Sequence, residues 1–247
     1  MNKQMQIYSI SEMPDKEKYS YICIVSFRIL KEQFQGMKKI LLSLLIAAVA
    51  VITAGAQEQR HFVLTQGNNK VNVDWTIDNS GDLLKYSITT GSRTEYFTMR
   101  KNFETVEYRV VDKTTDTDAK VVRDGNVYTF SGKNKGKSIN RKEKSSGLPW
   151  FQNVEFNGST VADGKKPVKF ECIRYTEMDR HTMQVTNKGE EDVEGYKTVH
   201  VRASLTGALA GVWGCDYYYD VKTGQFVVYK GVEGGPGTPE TVIKPVK

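Results

Sequence analysis

From Gln57 onward the apolar residues recur at every second position over short stretches, not at helical spacing. In Phe103–Asp112, Val106, Tyr108 and Val110 share a face opposite Glu107 and Arg109. In Tyr196–Ala203, Val199, Val201 and Ala203 oppose Thr198, His200 and Arg202. Further on, Cys215, Tyr217, Tyr219 and Val221 oppose Asp216, Tyr218 and Asp220. A period of two with one apolar face marks half-buried strands of an antiparallel sheet. Strands are expected over His61–Gln66, Lys70–Ile77, Leu83–Thr89, Glu95–Met99 and Phe103–Asp112. The series continues with Asn126–Ser131, Lys137–Arg141, Val168–Thr176, Thr182–Thr186, Tyr196–Ala203, Cys215–Val221, Phe226–Lys230 and Glu240–Ile243. All are rich in Val, Ile, Thr, Tyr and Phe.

The gaps carry turn residues: Asn68-Asn69, Asn79-Ser80-Gly81, Asp124-Gly125, Asn157-Gly158 and Thr223-Gly224. Such pairs supply the positive φ that tight hairpins need, and short connections imply antiparallel neighbours. The expected fold is all-β, a single antiparallel meander curled into a half-barrel or barrel, with a β-sandwich as the alternative. At most one short helix is expected, between Ser145 and Val154 around Leu148-Pro149-Trp150-Phe151, with Pro149 early in it. No fixed-period repeat or linker divides residues 57–247, so they read as a single β domain.

Ahead of that domain the pattern changes. Met37-Lys38-Lys39 precedes an apolar run from Ile40 to Ile52 and the exit Ala54-Gly55-Ala56. A short positive start, an apolar stretch and an Ala-x-Ala step form a signal peptide, here residues 37–56. The run is too short to cross a hydrocarbon core of about 30 Å as a helix. No transmembrane segment is therefore expected in the mature chain, which would be periplasmic or secreted after cleavage near Ala56. Residues 1–36 read as a start-site artefact, with translation beginning at Met37, or as a disordered extension.

Charge adds little. The segment up to Ala56 holds 7 of the 35 Lys and Arg and 4 of the 29 acids, leaving +3 on the remainder. That excess suits ordinary solubility and not a polyanion-binding protein. Cys23 falls in the leader. Cys172 and Cys215 remain as a disulfide candidate in an oxidising compartment, or as two buried thiols.

Candidate chemistry is sparse. Gly132 to Ser138 has three residues between its glycines where a phosphate loop has four, and it sits in a hairpin pattern. The same region is basic, with Lys133, Lys135, Lys137, Arg141, Lys142 and Lys144, either a solvated hairpin or a site for anionic headgroups or polysaccharide. It has no interleaved aromatic to stack bases, so no nucleic acid is expected. His61, His181 and His200 lack zinc spacing. Asp112, Asp116 and Asp118 lack the glycine and terminal glutamate of a calcium loop. No Gly-x-Ser-x-Gly elbow is present, and Glu190-Glu191-Asp192 lies in a polar turn. No metal, cofactor or enzyme activity is expected.

The aromatics Trp150, Phe151, Trp213, Tyr217, Tyr219, Phe226 and Tyr229 gather in two segments. They read either as sheet core or as the lining of an apolar cavity in a curled sheet.

Two stretches resemble a known family. Val193-Glu194-Gly195-Tyr196-Lys197-Thr198-Val199-His200-Val201 and the strand–turn–strand from Tyr217 through Thr223-Gly224 to Tyr229 resemble paired motifs of bacterial envelope β-domains. These belong to the lipoprotein-sorting-factor superfamily and its uncharacterised secreted relatives. The resemblance implies a half-barrel with an apolar concave face and, in its best-known members, carriage of lipoprotein acyl chains. Those carriers cover the concave face with helices, whereas this chain offers one short candidate. It also lacks the acylated Cys of the outer-membrane acceptor type.

Two functions follow as expectations. The first is an exported, non-enzymatic cell-envelope protein that binds a lipid or other hydrophobic small molecule. Trp150, Phe151, Trp213, Tyr217 and Tyr219 would line its site, and Lys135, Lys137 and Arg141 would meet an anionic head. The alternative is a structural or interaction module that meets an envelope protein or glycan and has no small-molecule ligand.

Overall fold

The strands follow the alternation, and hairpin succeeds hairpin around one sheet. The computed structural model describes residues 57–162, 164, 166–207, 211, 213–232 and 237–246. The expected leader and signal peptide, residues 1–56, lie outside the described residues. In chain order the first eight strands are β1 (Glu58–Gln66), β2 (Asn69–Asp78), β3 (Leu84–Thr90), β4 (Arg93–Met99), β5 (Thr105–Asp112), β6 (Thr117–Asp124), β7 (Val127–Asn134) and β8 (Lys137–Lys144). A 3-10 turn (Val154–Phe156) and a one-turn helix, α1 (Gly158–Val161), come next. Then follow β9 (Val168–Arg174), β10 (Asp179–Val193), β11 (Tyr196–Leu205), β12 (Gly214–Asp220), β13 (Phe226–Gly231) and β14 (Thr241–Pro245).

All fourteen strands belong to one antiparallel sheet, in the order β8-β7-β6-β5-β4-β3-β2-β1-β14-β13-β12-β11-β10-β9. This is the curled meander, and the single sheet leaves no place for the sandwich. Its first and last strands pair, from Phe62 opposite Pro245 to Gln66 opposite Thr241. The sheet therefore stays open between β8 and β9, where residues 145–167 make the long connection.

Eight strands make a barrel that side chains alone can fill, and interior width grows with strand number. A curl of fourteen needs further filling, and two things supply it. The inward positions carry large side chains: Phe62, Trp75, Phe97, Tyr108, Tyr128, Phe130, Phe170, Tyr219 and Phe226 are buried in one cluster. The 145–167 connection also folds into that cluster, with Trp150, Val154 and Ala162 buried and Phe156 packed against them.

Three local expectations are corrected. No strand is expected between Asp112 and Asn126, but Thr117, Ala119 and Val121 point inward on β6. Its inward residues are small and its outward ones charged, so the apolar signal is weak. β10 runs on to Val193 because its polar second half, Glu190 to Asp192, pairs with β11 while exposed to water. The helical turns begin at Val154, the last residue of the expected span. Pro149 to Phe151 are extended because their backbone pairs with Glu171. The Asn153 side chain caps the 3-10 turn, accepting from the Glu155 amide at 2.7 Å, and Asn157-Gly158 opens α1 where a hairpin turn was expected.

Candidate functional site

The aromatic residues expected to line a cavity divide between core and rim. Trp150 is fully buried, edge-on to Tyr128 at 5.1 Å, and its Nε1 donates to Gln152 Oε1 at 2.9 Å. Tyr219 is fully buried and donates its hydroxyl to the Val154 carbonyl at 2.6 Å. That bond needs Gly158, where a Cβ would come within 2.1 Å of the Tyr219 hydroxyl oxygen. Phe151, Trp213 and Tyr217 are half-buried against the same cluster. Phe151 meets Phe170 at 5.8 Å, Tyr217 meets Tyr229 at 5.2 Å, and Trp213 Nε1 donates to the Val232 carbonyl at 3.0 Å. Around Trp75, the rings of Phe62, Phe156 and Phe226 stand 4.7 to 5.3 Å away. Rings at such separations touch, so this part of the interior is filled.

The opening between β8 and β9 is latched by a buried carboxylate that the sequence did not single out. Glu171 on β9 accepts from the Ser145 hydroxyl (2.6 Å), the Tyr128 hydroxyl (2.9 Å), the Ser146 amide (2.8 Å) and Arg180 Nη1 (2.5 Å). Burial pushes its carboxyl up, but the bonds from Ser145, Ser146 and Tyr128 outweigh that and hold it below its ordinary value. Burial, aided by the Glu171 carboxylate, pushes the Tyr128 hydroxyl far upward, so it stays a donor. Beside the latch, Arg100, Glu104, Thr105, Val106, Arg123, Gly125 and Asn126 line a polar cleft of about 260 Å³. Its two arginines already bind Glu104 and backbone carbonyls.

The two strands beside the opening differ. On β9, the Glu171 amide donates to the Pro149 carbonyl (2.8 Å) and the Glu171 carbonyl accepts from the Phe151 amide (3.1 Å). One step on, the Gln152 side chain accepts from the Ile173 amide (2.8 Å) and donates to the Ile173 carbonyl (2.7 Å). A single glutamine thus stands in for a pairing strand, and its own amide is held by the Thr105 hydroxyl at 3.0 Å. β8 pairs with β7 on one side and, among the described residues, has no strand on the other.

The basic residues proposed for an anionic head sit at this edge, and two of them are engaged. Lys135 binds Glu177 at 3.0 Å. Arg141 binds Glu143 at 2.8 Å, donates to the Met178 carbonyl and lies over the Phe130 ring at 4.1 Å. Lys137 is exposed and has no ion-pair partner among the described residues. Of the three, Arg141 reaches the buried aromatic cluster, through Phe130.

Cys172 and Cys215 are free thiols. They lie on β9 and β12, with β10 and β11 between them. Three strand spacings amount to about 14 Å, twice the reach of a disulfide. Burial pushes both thiols up to about 12, so neither offers a thiolate at neutral pH.

On the outer face, His200 stacks on Tyr218 at 4.8 Å and lies between Asp216 (2.7 Å) and Glu191 (3.1 Å). Arg202 takes the other Asp216 oxygen at 2.7 Å. The sequence placed His200 and Arg202 on this polar face, but its alternation could not pair them with Asp216. Among the described residues no group of three or more His, Cys, Asp or Glu is arranged to hold a metal ion. No helix among them is long and apolar enough to cross a membrane.

No protein-family model matches the chain, and no curated protein does. Solved structures match by fold. One is the β-barrel-like protein of domain of unknown function DUF1849 from Brucella abortus. It is 8% identical at a TM-score of 0.52, with 78% of this chain and 97% of that chain covered. Another is a DUF1329 family protein from Desulfovibrio piger, 8% identical at a TM-score of 0.27, covering 80% of this chain and 87% of that one. The second overlap is too loose to support more. The chain shares a barrel-like fold with the first protein, and its likeness to the lipoprotein-sorting superfamily rests on the two sequence motifs alone.

Proposed function

We propose that this chain is an exported, non-enzymatic protein of the bacterial cell envelope that acts through its surface, as a structural or interaction module. The carrying observation is the close aromatic packing around Trp75 and Trp150. Trp150 and Tyr219, two of the five aromatics expected to line a cavity, are fully buried and hydrogen-bonded within the protein. An acyl-chain carrier needs an apolar space, and Trp150, Val154, Phe156 and Ala162 of the connection pack into the core cluster instead. The signal-peptide pattern of residues 37–56 supports export, and the high thiol values at Cys172 and Cys215 speak against cysteine catalysis.

Expression of the full chain in a Gram-negative bacterium, purification from the periplasm and native mass spectrometry test this reading. The expected product begins at Gln57 and carries no bound mass. A lipid recovered by solvent extraction, and lost in Trp150→Ala and Trp213→Ala, would restore the carrier function. Retention of residues 1–56 in a cytoplasmic product would remove the envelope from the account.

A further inference from the structure

The unpaired side of β8 has a definite phase. Lys135 (φ 50°) and Gly136 (φ 74°) form the two-residue turn between β7 and β8. Such a turn makes its flanking residues, Asn134 and Lys137, a hydrogen-bonded pair. Alternation then directs the backbone groups of Lys137, Ile139, Arg141 and Glu143 to β7. The Ser145 amide, which donates to Asn126 at 2.8 Å, continues the same phase. The amides and carbonyls of Ser138, Asn140, Lys142 and Lys144 therefore point away from the sheet. All four residues are exposed, and no described residue bonds to these groups.

The side chains beside this row select its occupant. Ile139 and Arg141 face the core, so Ser138, Asn140, Lys142 and Lys144 face outward. Lys142 and Lys144 have no ion-pair partner among the described residues, nor has Lys137 at the hairpin end, while Lys133 on β7 is taken by Asp116. A second copy of β8 would set lysine near lysine, which opposes pairing. An apolar strand would find no apolar outer face. A strand with carboxylates at alternate positions would satisfy both the backbone row and the lysines.

We propose that the free edge of β8 docks an extended acidic segment of a partner protein as an added antiparallel strand, with carboxylates opposite Lys142 and Lys144. The proposal rests on the surface-acting reading above. Backbone bonds supply affinity in this mode, and alternate side chains supply specificity.

The probe is a blocked, fluorescent peptide of alternating Glu and Thr, added to the full chain and followed by anisotropy and amide exchange. Binding is expected to slow exchange at Ser138, Asn140, Lys142 and Lys144. Residues opposite one another in an antiparallel hydrogen-bonded pair turn their amides toward each other. Methylating the Glu amides of the peptide should therefore abolish binding, while methylating the Thr amides should preserve it. Lys142→Glu with Lys144→Glu should weaken binding about tenfold or more, and Lys85→Glu on β3 should not. Equal binding by both methylated peptides, or equal binding by a sulfated glycan or anionic vesicles, would reduce the edge to simple charge attraction and overturn the proposal. Absence of peptide binding would also overturn it. An unliganded mass in the separate periplasmic experiment would then leave the surface-acting reading standing.

Discussion

Along β9 the backbone groups of Glu171 and Ile173 are held by the Pro149–Phe151 backbone and the Gln152 side chain. Along β8 the groups of Ser138, Asn140, Lys142 and Lys144 meet no described partner. Both strands border one opening in one sheet, and the difference lies in their side chains. β9 carries Phe170, Ile173 and the buried Glu171, so its edge is part of the interior and its polar backbone must be satisfied there. β8 alternates exposed and half-buried residues, so water can serve its edge. Lysines are a common guard on such an edge. A buried edge must be covered by its own chain, whereas a wet one remains able to pair.

The largest predicted effect would break the covered side. Trp150→Ala removes the fully buried ring that holds the connection in place and should cost about 4 kcal/mol, read as a lower urea midpoint. Glu171→Gln weakens the latch and leaves Arg180 without its buried counter-charge. It should cost about 3 kcal/mol by the same measurement. Because the folded value of Glu171 is depressed, its contribution is fully present above the ordinary carboxylate value and is lost as pH falls through the folded one. The wild-type urea midpoint should thus fall below about pH 4, and in Glu171→Gln that fall should be shallower. An equal slope in both proteins would remove Glu171 as the latch.

Smaller effects sharpen the contrast. Gln152→Ala deprives Ile173 of both side-chain bonds and Trp150 Nε1 of its acceptor. A loss of about 1.5 kcal/mol is expected, with faster exchange at the Ile173 amide. On the bare side, Lys142→Glu with Lys144→Glu should move stability by less than about 0.5 kcal/mol, since both are exposed and unpaired among the described residues. A drop comparable to that of Gln152→Ala would mean that β8 is covered as well.

Alternation made most of this legible before any coordinates. The inward faces of β5, β11 and β12 follow from Tyr108, Val201 and Tyr219, and the turn pairs mark most hairpins. β6 was missed because Thr117 and Ala119 are small and its charges resemble a turn. The break in the sheet could not be read, because period-two patterning orients a strand without naming its neighbour. Pairing of β1 with β14 joins strands about 180 residues apart, a contact that local sequence does not encode. The same limit hid Glu171, whose partners Tyr128, Ser145 and Arg180 stand on three other segments. Trp150 and Tyr219 stand out in the sequence within a concentration of large aromatics, but composition cannot separate a lined cavity from a filled one. That distinction depends on where residues 145–167 fold.

Residue-resolved amide exchange across β8 and β9 tests the central contrast most directly. The account predicts alternation along β8, with Ile139, Arg141 and Glu143 slow and Ser138, Asn140, Lys142 and Lys144 fast. Along β9 it predicts slow exchange at both Glu171 and Ile173. Uniformly slow exchange from Ser138 to Lys144 would contradict it, because the edge would then already be paired and no place would remain for a partner strand.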